Sequence, residues 1–233
     1  MSMLLEATGL SQYYGHGEAR VAALKGVDLE IEHGEFIAIM GPSGSGKSTL
    51  LSILGAMNPP SEGKLEVDGI DVYQLSAERQ ADFRCEYLGF VFQQLQLIPY
   101  LTALENVMLP LVITDLKNHS ELATEVLERV GLEGKGDRLP SELSGGEQGR
   151  VAIARAIVNE PPILLADEPT GSLDSCTGEE ILRLFQELHH DGQTIIMVTH
   201  NPDAICEVDR LIRIKDGSVC GDEKRTLAVP PMA

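Results

Sequence analysis

A glycine-rich segment near the N-terminus carries the strongest chemical signal in the sequence. It fits the pattern GxxxxGK[ST] and stands between the apolar run Phe36–Met40 and a helical pattern from Leu50 to Leu54. Glycines let successive backbone N–H groups surround phosphate oxygens, a helix N-terminus adds positive potential, and the lysine reaches the β- and γ-phosphates of a nucleotide. A flexible loop without a ligand is the alternative, which this spacing disfavours. The predicted phosphate-binding residues are Gly41, Pro42, Ser43, Gly44, Ser45, Gly46, Lys47, Ser48 and Thr49.

Two adjacent carboxylates follow a second apolar run. Ile163–Ala166 leads directly into Asp167 and Glu168. Because the carboxyl ends of parallel strands share one edge of a sheet, we expect these acids beside the phosphate loop. There Asp167 and the Ser48 hydroxyl would hold Mg²⁺, and Glu168 would accept a proton from an attacking water. Two acids after a strand are by themselves a common surface terminus; with the phosphate loop they indicate phosphoryl-transfer chemistry.

A third segment combines a helix cap with two glycines. Ser144 and Glu147 have the spacing of a capping box, in which each side chain accepts a hydrogen bond from the other residue's backbone N–H. Gly145 and Gly146 lie between them, and a plain cap does not require two residues with so high an entropy cost. The segment is therefore either a well-capped helix start or a second phosphate site whose bare N–H groups approach an anion.

The elements that must position these residues follow a β–α–β order. Short, almost continuous apolar runs rich in Ile and Val are typical of strands buried on both faces of a parallel sheet. A helical pattern runs from Glu179 to His190, with acids at its start and histidines at its end. Together they predict a three-layer α/β core. The predicted strands are Phe36–Met40, Leu88–Phe92, Ile163–Ala166, Thr194–Thr199 and Leu211–Lys215.

Two further regions lie outside this core. Alternating apolar and charged residues at 26–32 and 64–69 predict a small antiparallel sheet with one buried face. From about residue 95 strand signals give way to helical ones, which predicts a helical subdomain at about 95–158 inserted into the core. We interpret residues 1–222 as one domain and 223–233 as a flexible tail.

Composition restricts the classes of partner. The chain has 233 residues, with 18 Lys and Arg against 36 Asp and Glu and a formal net charge of −18. This balance disfavours binding along a nucleic-acid backbone. No uncharged apolar run approaches the roughly 18 residues of a membrane span. The 4 cysteines stand apart without a CxxC pair, so a metal site is expected to use oxygen ligands.

Taken together, these motifs resemble the nucleotide-binding subunit of an ATP-binding cassette (ABC) transporter. The resemblance covers about residues 5–222 and includes the order of the motifs as well as their identity. It implies a P-loop NTPase core, with ATP and Mg²⁺ as ligands. In that family the signature of one subunit closes on ATP held by the phosphate loop of another. Ser144, Gly145, Gly146 and Glu147 are therefore expected to contact the nucleotide of the second subunit in a homodimer.

The resemblance assigns roles to residues on both sides of the phosphate loop. Tyr14 matches the aromatic residue that stacks on adenine, with its neighbour Tyr13 as the alternative. Gln93 matches the glutamine that senses Mg²⁺ and the attacking water; Gln94 follows it, but the Phe-Gln register favours Gln93.

Two loops complete the implied site. Asp174 lies in a Ser-Leu-Asp segment that resembles the D-loop, which links the two nucleotide sites across the dimer. His200 resembles the switch histidine that hydrogen bonds the γ-phosphate. The resemblance thus implies ATP hydrolysis, with Glu168, His200, Gln93 and Lys47 as the catalytic residues.

Two residues depart from the family pattern. Glu147 stands where the signature usually has glutamine, and a carboxylate can still complete the capping box. Gly149 stands inside the signature helix, where a longer polar residue is typical and where glycine costs about 1 kcal/mol relative to alanine.

Residues 88–93 and 101–111 resemble the ATPases of lipoprotein-releasing, macrolide-exporting and cell-division systems. This implies an integral membrane permease subunit as partner, FtsX-like in type, and a location on the cytoplasmic inner face of the cell membrane through that partner alone. Apolar residues at 95–101 are either its docking surface or the core of the helical subdomain. A soluble or regulatory ABC ATPase, associated with cell division or DNA, is the alternative; the lack of a coiled-coil or zinc insertion before the signature disfavours it.

Overall fold

The computed structural model describes residues 3–15, 17, 20–114, 117–201, 204 and 208–225. These residues form two sheets with helices packed around them. The strands are β1 Met3–Tyr14, β2 Val21–Glu32, β3 Phe36–Met40, β4 Glu62–Val67, β5 Ile70–Asp71, β6 Leu88–Val91, β7 Ile163–Asp167, β8 Thr194–Val198, β9 Arg210–Lys215 and β10 Ser218–Lys224. The α-helices are α1 Lys47–Leu54, α2 Ala77–Tyr87, α3 Ala103–Met108, α4 His119–Arg129, α5 Gly145–Ile157 and α6 Ser175–His190.

The larger sheet has the strand order β10-β9-β3-β8-β7-β6. All neighbouring pairs in it are parallel except β9 and β10, which are antiparallel. Side chains alternate between two cores: Phe36 and Ala38 of β3 face one, and Ile37 and Ile39 face the other. Burial on both faces explains the continuous apolar runs. The predicted α/β class, with a parallel sheet and an antiparallel subdomain, is confirmed.

The smaller sheet is antiparallel, in the order β2-β1-β4-β5. It packs over α1 and shares with it the second core, to which Leu5, Leu29 and Leu65 contribute. The sequence analysis did not predict β1 or α2. Pairing with both β2 and β4 stabilises β1, and these long-range contacts are not written in its local pattern.

Helices α3, α4 and α5 and the 3-10 turn Leu109–Ile113 lie on the other side of the larger sheet. Val107 of α3, Leu127 of α4 and Val151 of α5 are buried together in the first core. Among the described residues, no helix is both long and apolar enough to cross a bilayer.

Several boundaries differ from the sequence predictions, and two of the differences have a clear physical cause. Helix α6 begins at Ser175, before the expected Glu179, because Asp174 caps it by accepting the Thr177 N–H. Strand β10 runs to Lys224, into the segment expected to be a tail. There Lys224 of β10 pairs with Arg210 of β9. The Arg210 guanidinium donates to both carboxylate oxygens of Asp222, each at 2.7 Å.

Candidate nucleotide-binding site

The glycine-rich loop joins the end of β3 to the start of α1, and close packing fixes its shape. A Cβ atom at Gly41 would lie 2.1 Å from the carbonyl oxygen of Ile214 on β9. One at Gly46 would lie 2.3 Å from the carbonyl oxygen of Ala23 on β2, and Gly46 also has a left-handed φ of 103°. Only glycine fits at either position, so the smaller sheet and β9 together hold the loop open around its N–H groups.

Lys47 is the first residue of α1, and its side chain folds back across the loop. Its Nζ donates hydrogen bonds to the carbonyl oxygens of Gly41 at 2.9 Å and Pro42 at 3.0 Å. The residue is only 8% exposed. The ammonium group is therefore held against the glycine-rich loop, and a lysine combined with the N–H groups of such a loop suits polyanions such as a triphosphate.

The two acids stand at the carboxyl end of β7, beside the loop as expected. Asp167 accepts a hydrogen bond from Ser48, the residue after Lys47. Burial raises the pKa of Asp167, the adjacent Glu168 raises it further, and Ser48 and Lys47 oppose the shift. A hydroxyl and a carboxylate held together in a partly buried place suit a divalent cation, which prefers oxygen ligands.

Glu168 leaves the strand through a strained turn. Its φ of 47° lies in the left-handed region, which costs non-glycine residues on the order of 1–3 kcal/mol and is common at functional sites. The backbone N–H of Glu168 still donates to the carbonyl of Val198 on β8, at 2.8 Å. The turn places its Oε2 3.0 Å from Nδ1 of His200, which follows β8.

The Gln93 side chain lies close to the same carboxylate. A Cβ atom at Gly171 would lie 3.1 Å from Nε2 of Gln93 and 3.3 Å from Oε2 of Glu168. Gly171 thus leaves room for the two side chains to converge, a role that the sequence analysis missed. Its signal was a glycine in the Asp-Glu-Pro-Thr-Gly run, which predicts nothing without the neighbouring strand ends.

The phosphate loop, Ala23, Glu168 and His200 line one cavity of about 510 Å³. The loop could hold the phosphates of ATP, and Ser48 with Asp167 could hold Mg²⁺ at their edge. The Ser45 hydroxyl supports this fit, because it is buried without a hydrogen-bond partner among the described residues. Gln93 and Tyr14 lie outside the lining of the cavity.

Tyr14 is at the end of β1, with its ring exposed. It pairs with Val21 of β2, two residues before the cavity residue Ala23. Its neighbour Tyr13 differs, because the Arg20 guanidinium covers the Tyr13 ring at 3.8 Å from the centroid. The structure thus leaves Tyr14 open for stacking and occupies Tyr13.

The signature residues begin α5 with a complete capping box. Glu147 Oε2 accepts the N–H of Ser144 at 2.7 Å, and the Ser144 hydroxyl accepts the N–H of Glu147 at 3.3 Å. Ser144 and Gly145 are exposed at the helix start. The Ser144 side chain and the Gly145 backbone are therefore accessible to a ligand from outside the chain.

Gly146 has a packing role within the chain that its sequence context did not indicate. It is buried, and a Cβ atom on it would lie 2.5 Å from Cγ2 of Thr177 on α6. Gly149 is explained in the same way, since its Cβ would lie 3.1 Å from Cδ1 of Ile181. Both glycines let α5 approach α6 within the chain, so Gly145 alone of the pair faces outwards.

Asp174 is occupied within its own helix rather than turned to the phosphate loop. Its carboxylate accepts the Thr177 hydroxyl at 2.6 Å and the Thr177 N–H at 3.1 Å, and these bonds lower its pKa. It lines a neighbouring cavity of about 330 Å³ that also includes Glu168 and His200. Asp174 therefore positions the start of α6 beside the site.

Comparison with known proteins identifies the class. The ABC transporter family model matches residues 24–171, and the chain belongs to this family. It is the ATP-binding, ATP-hydrolysing subunit of an ABC transporter. Cassettes of this kind dimerise and pair with membrane subunits.

Similar proteins narrow the relationship. An ABC transporter ATP-binding protein of Thermotoga maritima is 49% identical over 97% of both chains. The macrolide export ATP-binding/permease protein MacB of Mannheimia succiniciproducens is 44% identical over 95% of this chain, which spans 35% of the MacB length. The bacterial ABC transporter cassette MJ0796, solved as a dimer, has a TM-score of 0.87 and 45% identity over 97% of this chain and 100% of its own. The same cassette was also solved bound to ADP and Pi.

Proposed function

We propose that two copies of this chain close on two MgATP molecules, each held between the phosphate loop of one copy and the signature of the other. One observation carries the proposal. The cavity beside Lys47 gathers the hydrolytic side chains, whereas Ser144 and Gly145 present an open, capped helix start that contributes nothing to that cavity. A second copy supplies the missing contact for each site.

Within one site, the residues of this chain divide the chemistry. The phosphate loop and Lys47 bind the triphosphate, and Ser48 with Asp167 hold the metal ion. When bound, Mg²⁺ neutralises charge on the β- and γ-phosphate oxygens. Glu168 takes the proton of the attacking water. His200, bonded to Oε2 of Glu168, orients that carboxylate. Gln93 orients the water from the other side.

The signature of the second copy completes the charge stabilisation. The Gly145 N–H, the Ser144 hydroxyl and the positive end of α5 would face the γ-phosphate. ATP then holds the dimer together, and hydrolysis weakens it. This cycle of closure and release is the mechanical output.

Helix α5 connects that output to a surface groove. Its N-terminus is the signature, and at its other end Arg155 donates to the carbonyl oxygens of Leu95 and Gln96, both at 2.7 Å. These residues follow Gln93 and begin the apolar segment 95–101. A single helix of roughly 20 Å therefore connects the nucleotide contact to this segment.

The groove beside this segment suits a membrane partner. It has a volume of about 440 Å³ and is lined by Met57, Phe90, Phe92 and Ile113 together with Arg155. Tyr100, in the segment 95–101, is 88% exposed, and Ile113, in the groove lining, is 72% exposed. Leu97, by contrast, packs against the first core, so docking is proposed only for the exposed part of the segment.

We propose that a cytoplasmic helix of an FtsX-like permease occupies this groove and holds the chain at the inner face of the membrane. The likeness to MacB supports a macrolide-export or lipoprotein-release type of system. Co-expression with such a permease should raise the ATPase rate, and Tyr100→Glu should remove the stimulation without changing the basal rate. Unstimulated hydrolysis with every permease tested would instead favour an ATPase uncoupled from transport.

Glu168→Gln tests the core of the proposal. It removes the proton acceptor, so hydrolysis should fall by about 10²–10⁴-fold while ATP still binds. The variant should run as a dimer in gel filtration with ATP and as a monomer with ADP. Glu187→Gln, an exposed change on α6, is the control and should behave as the unmodified chain. Wild-type hydrolysis by Glu168→Gln, or a monomer in saturating ATP, would reject the proposal.

A further inference from the structure

The signature helix carries a carboxylate at the position nearest its proposed phosphate contact. Glu147 lies in the first turn of α5, three residues after Ser144. A negative side chain there stabilises the helix but offsets the positive potential that an anion needs. The negative charge of Glu147 is part of a formal net charge of −18 on the whole chain. A second triphosphate-bound copy would meet this charge directly.

Lys135 neutralises the negative charge of this carboxylate. Its ammonium group forms an ion pair with Oε1 of Glu147, while Oε2 accepts the Ser144 N–H. The Lys135 bond is the largest of the effects that lower the pKa of Glu147, which reaches about 2. Glu147 is therefore ionised at every physiological pH, and its compensation depends on the lysine rather than on protonation.

The backbone around Lys135 is fixed before any ligand arrives. Its N–H donates to the Leu132 carbonyl at 3.1 Å. The next carbonyls along the loop accept from α3: Gly136 from Leu104 at 2.9 Å and Arg138 from Ala103 at 2.8 Å. The loop thus presents its lysine to the signature helix from a packed helical subdomain.

Among the described residues, Lys135 is the cation that pairs with Glu147, since Arg150 on α5 donates instead to the Val130 carbonyl and lies 3.5 Å from Glu180. Glu133 and Asp137 flank it and are exposed. Arg138, the next cation along the loop, lies 3.8 Å from Glu142. Without Lys135, acidic groups would outnumber cations at the start of α5.

We propose that Lys135 is a positioning residue for the nucleotide of the second copy: it neutralises Glu147 and holds its carboxylate on the Ser144 N–H, which keeps the start of α5 attractive to phosphate. This rests on the proposed dimer. It explains how a glutamate serves where glutamine is usual in the signature. A glutamine needs no compensation, so the lysine matters only while Glu147 is present.

The test uses the full chain with Glu168→Gln as parent, because hydrolysis then does not consume the dimer. Three variants are made in this parent: Lys135→Met, Lys135→Met combined with Glu147→Gln, and Lys135→Arg. Sedimentation in saturating MgATP measures the monomer–dimer constant. The exposed change Lys117→Met is the control.

Lys135→Met should weaken the dimer about tenfold or more, because each dimer contains two uncompensated charges at short range. Lys135→Arg should restore it, and so should Glu147→Gln in the Lys135→Met chain. ATP affinity measured on dilute monomer should not change, since Lys135 lies outside the phosphate-loop cavity. Rescue by removal of the opposite charge is what a merely structural lysine would not give.

Two results overturn the inference while leaving the dimer intact. One is an unchanged dimer constant for Lys135→Met. The other is an equal loss with Glu147→Gln present, which would mean that the lysine contacts the nucleotide itself or only supports the loop. If the Glu168→Gln parent stays monomeric in ATP, the proposed function fails first, and this inference with it.

Discussion

The phosphate-loop cavity and the start of α5 both use backbone N–H groups for anion binding, but they differ in completeness. The cavity is lined by the phosphate loop, Ala23 of β2, and Glu168 and His200, which follow β7 and β8, and Lys47 already donates to the carbonyl oxygens of Gly41 and Pro42. The start of α5 has a satisfied cap and an open face at Ser144 and Gly145. The first region is preorganised by its own chain, whereas the second has an exposed face that the proposed dimer would use.

The carboxylates of the two regions show the same division. Burial and the neighbouring Glu168 raise the pKa of Asp167, so the cavity concentrates negative charge that a cation can relieve. At α5 the Lys135 ammonium lowers the pKa of Glu147 to about 2, so negative charge is relieved within the chain. The arrangement in the cavity suits a divalent cation, and the arrangement at α5 leaves the helix start suited to an anion.

Lys47→Ala should have the largest effect, because it removes the cation from the preorganised region. We expect ATP affinity to fall about 100-fold, since hydrogen bonds to charged groups are each worth about 1.5–3 kcal/mol. Fluorescent-nucleotide titration of the monomer measures it. Lys117→Ala, on the exposed surface, is the matched control. Unaltered binding by Lys47→Ala would break the assignment of the cavity.

Alanine at the two glycines of α5 should separate packing from exposure. Gly146→Ala places its methyl against Thr177, so overpacking of about 1–3 kcal/mol should lower Tm by about 2–12 °C. Thr177→Ser, which removes the contacted methyl and keeps the hydroxyl on Asp174, should restore it.

Gly145→Ala is the companion variant. Its Cβ would meet only Leu173, at 3.3 Å, so Tm should be unchanged or slightly raised, while ATP-driven dimerisation should weaken. Equal Tm losses for both variants would mean that neither glycine faces outwards, and the contrast between the regions would fail.

The contrast also explains what the sequence could reveal. The residues of the phosphate loop are contiguous, and the apolar runs around them give strand and helix directly, so the position of Asp167 beside Ser48 followed from sheet topology. Glu168, too, was predictable as a strand-end acid. Its left-handed φ and its contact with His200 were not, because they depend on how β7 and β8 end beside each other.

Around α5 the limits were different. The capping box is a local pattern and was predicted, but Gly146 and Gly149 were interpreted without the helix they pack on. Thr177 and Ile181 are about thirty residues further along the chain, and no local signal connects them. Lys135 was missed for the same reason: its contact with Glu147 exists only because α3 anchors the intervening loop.

Tyr14 and Tyr13 provide a test of intermediate size at the far edge of the first region. Tyr14→Ala should weaken ATP binding about tenfold, since stacking of an aromatic side chain on a base is worth about 1–3 kcal/mol. Tyr13→Ala should leave ATP affinity unchanged because Arg20 already covers that ring. The same titration measured with inorganic triphosphate should show no difference for Tyr14→Ala. A loss with Tyr13→Ala alone would move the adenine contact to its neighbour.

The smallest expected effects are opposite changes in stability at the two carboxylates. In metal-free buffer at neutral pH, Asp167→Asn should raise Tm, because the raised pKa of Asp167 means that the folded chain bears a cost for the ionised form.

Glu147→Gln should lower Tm. The depressed pKa of Glu147 contributes stability that is present above about 4.5, the ordinary glutamate pKa, and is lost as pH falls towards about 2. The Tm difference between Glu147→Gln and the unmodified chain should therefore shrink in acid. Each change should be about 1–2 °C, since Glu147 and Lys135 are partly exposed to screening solvent. Scanning calorimetry between neutral pH and pH 3 measures both, and changes of the same sign would mean that the two regions do not treat negative charge differently.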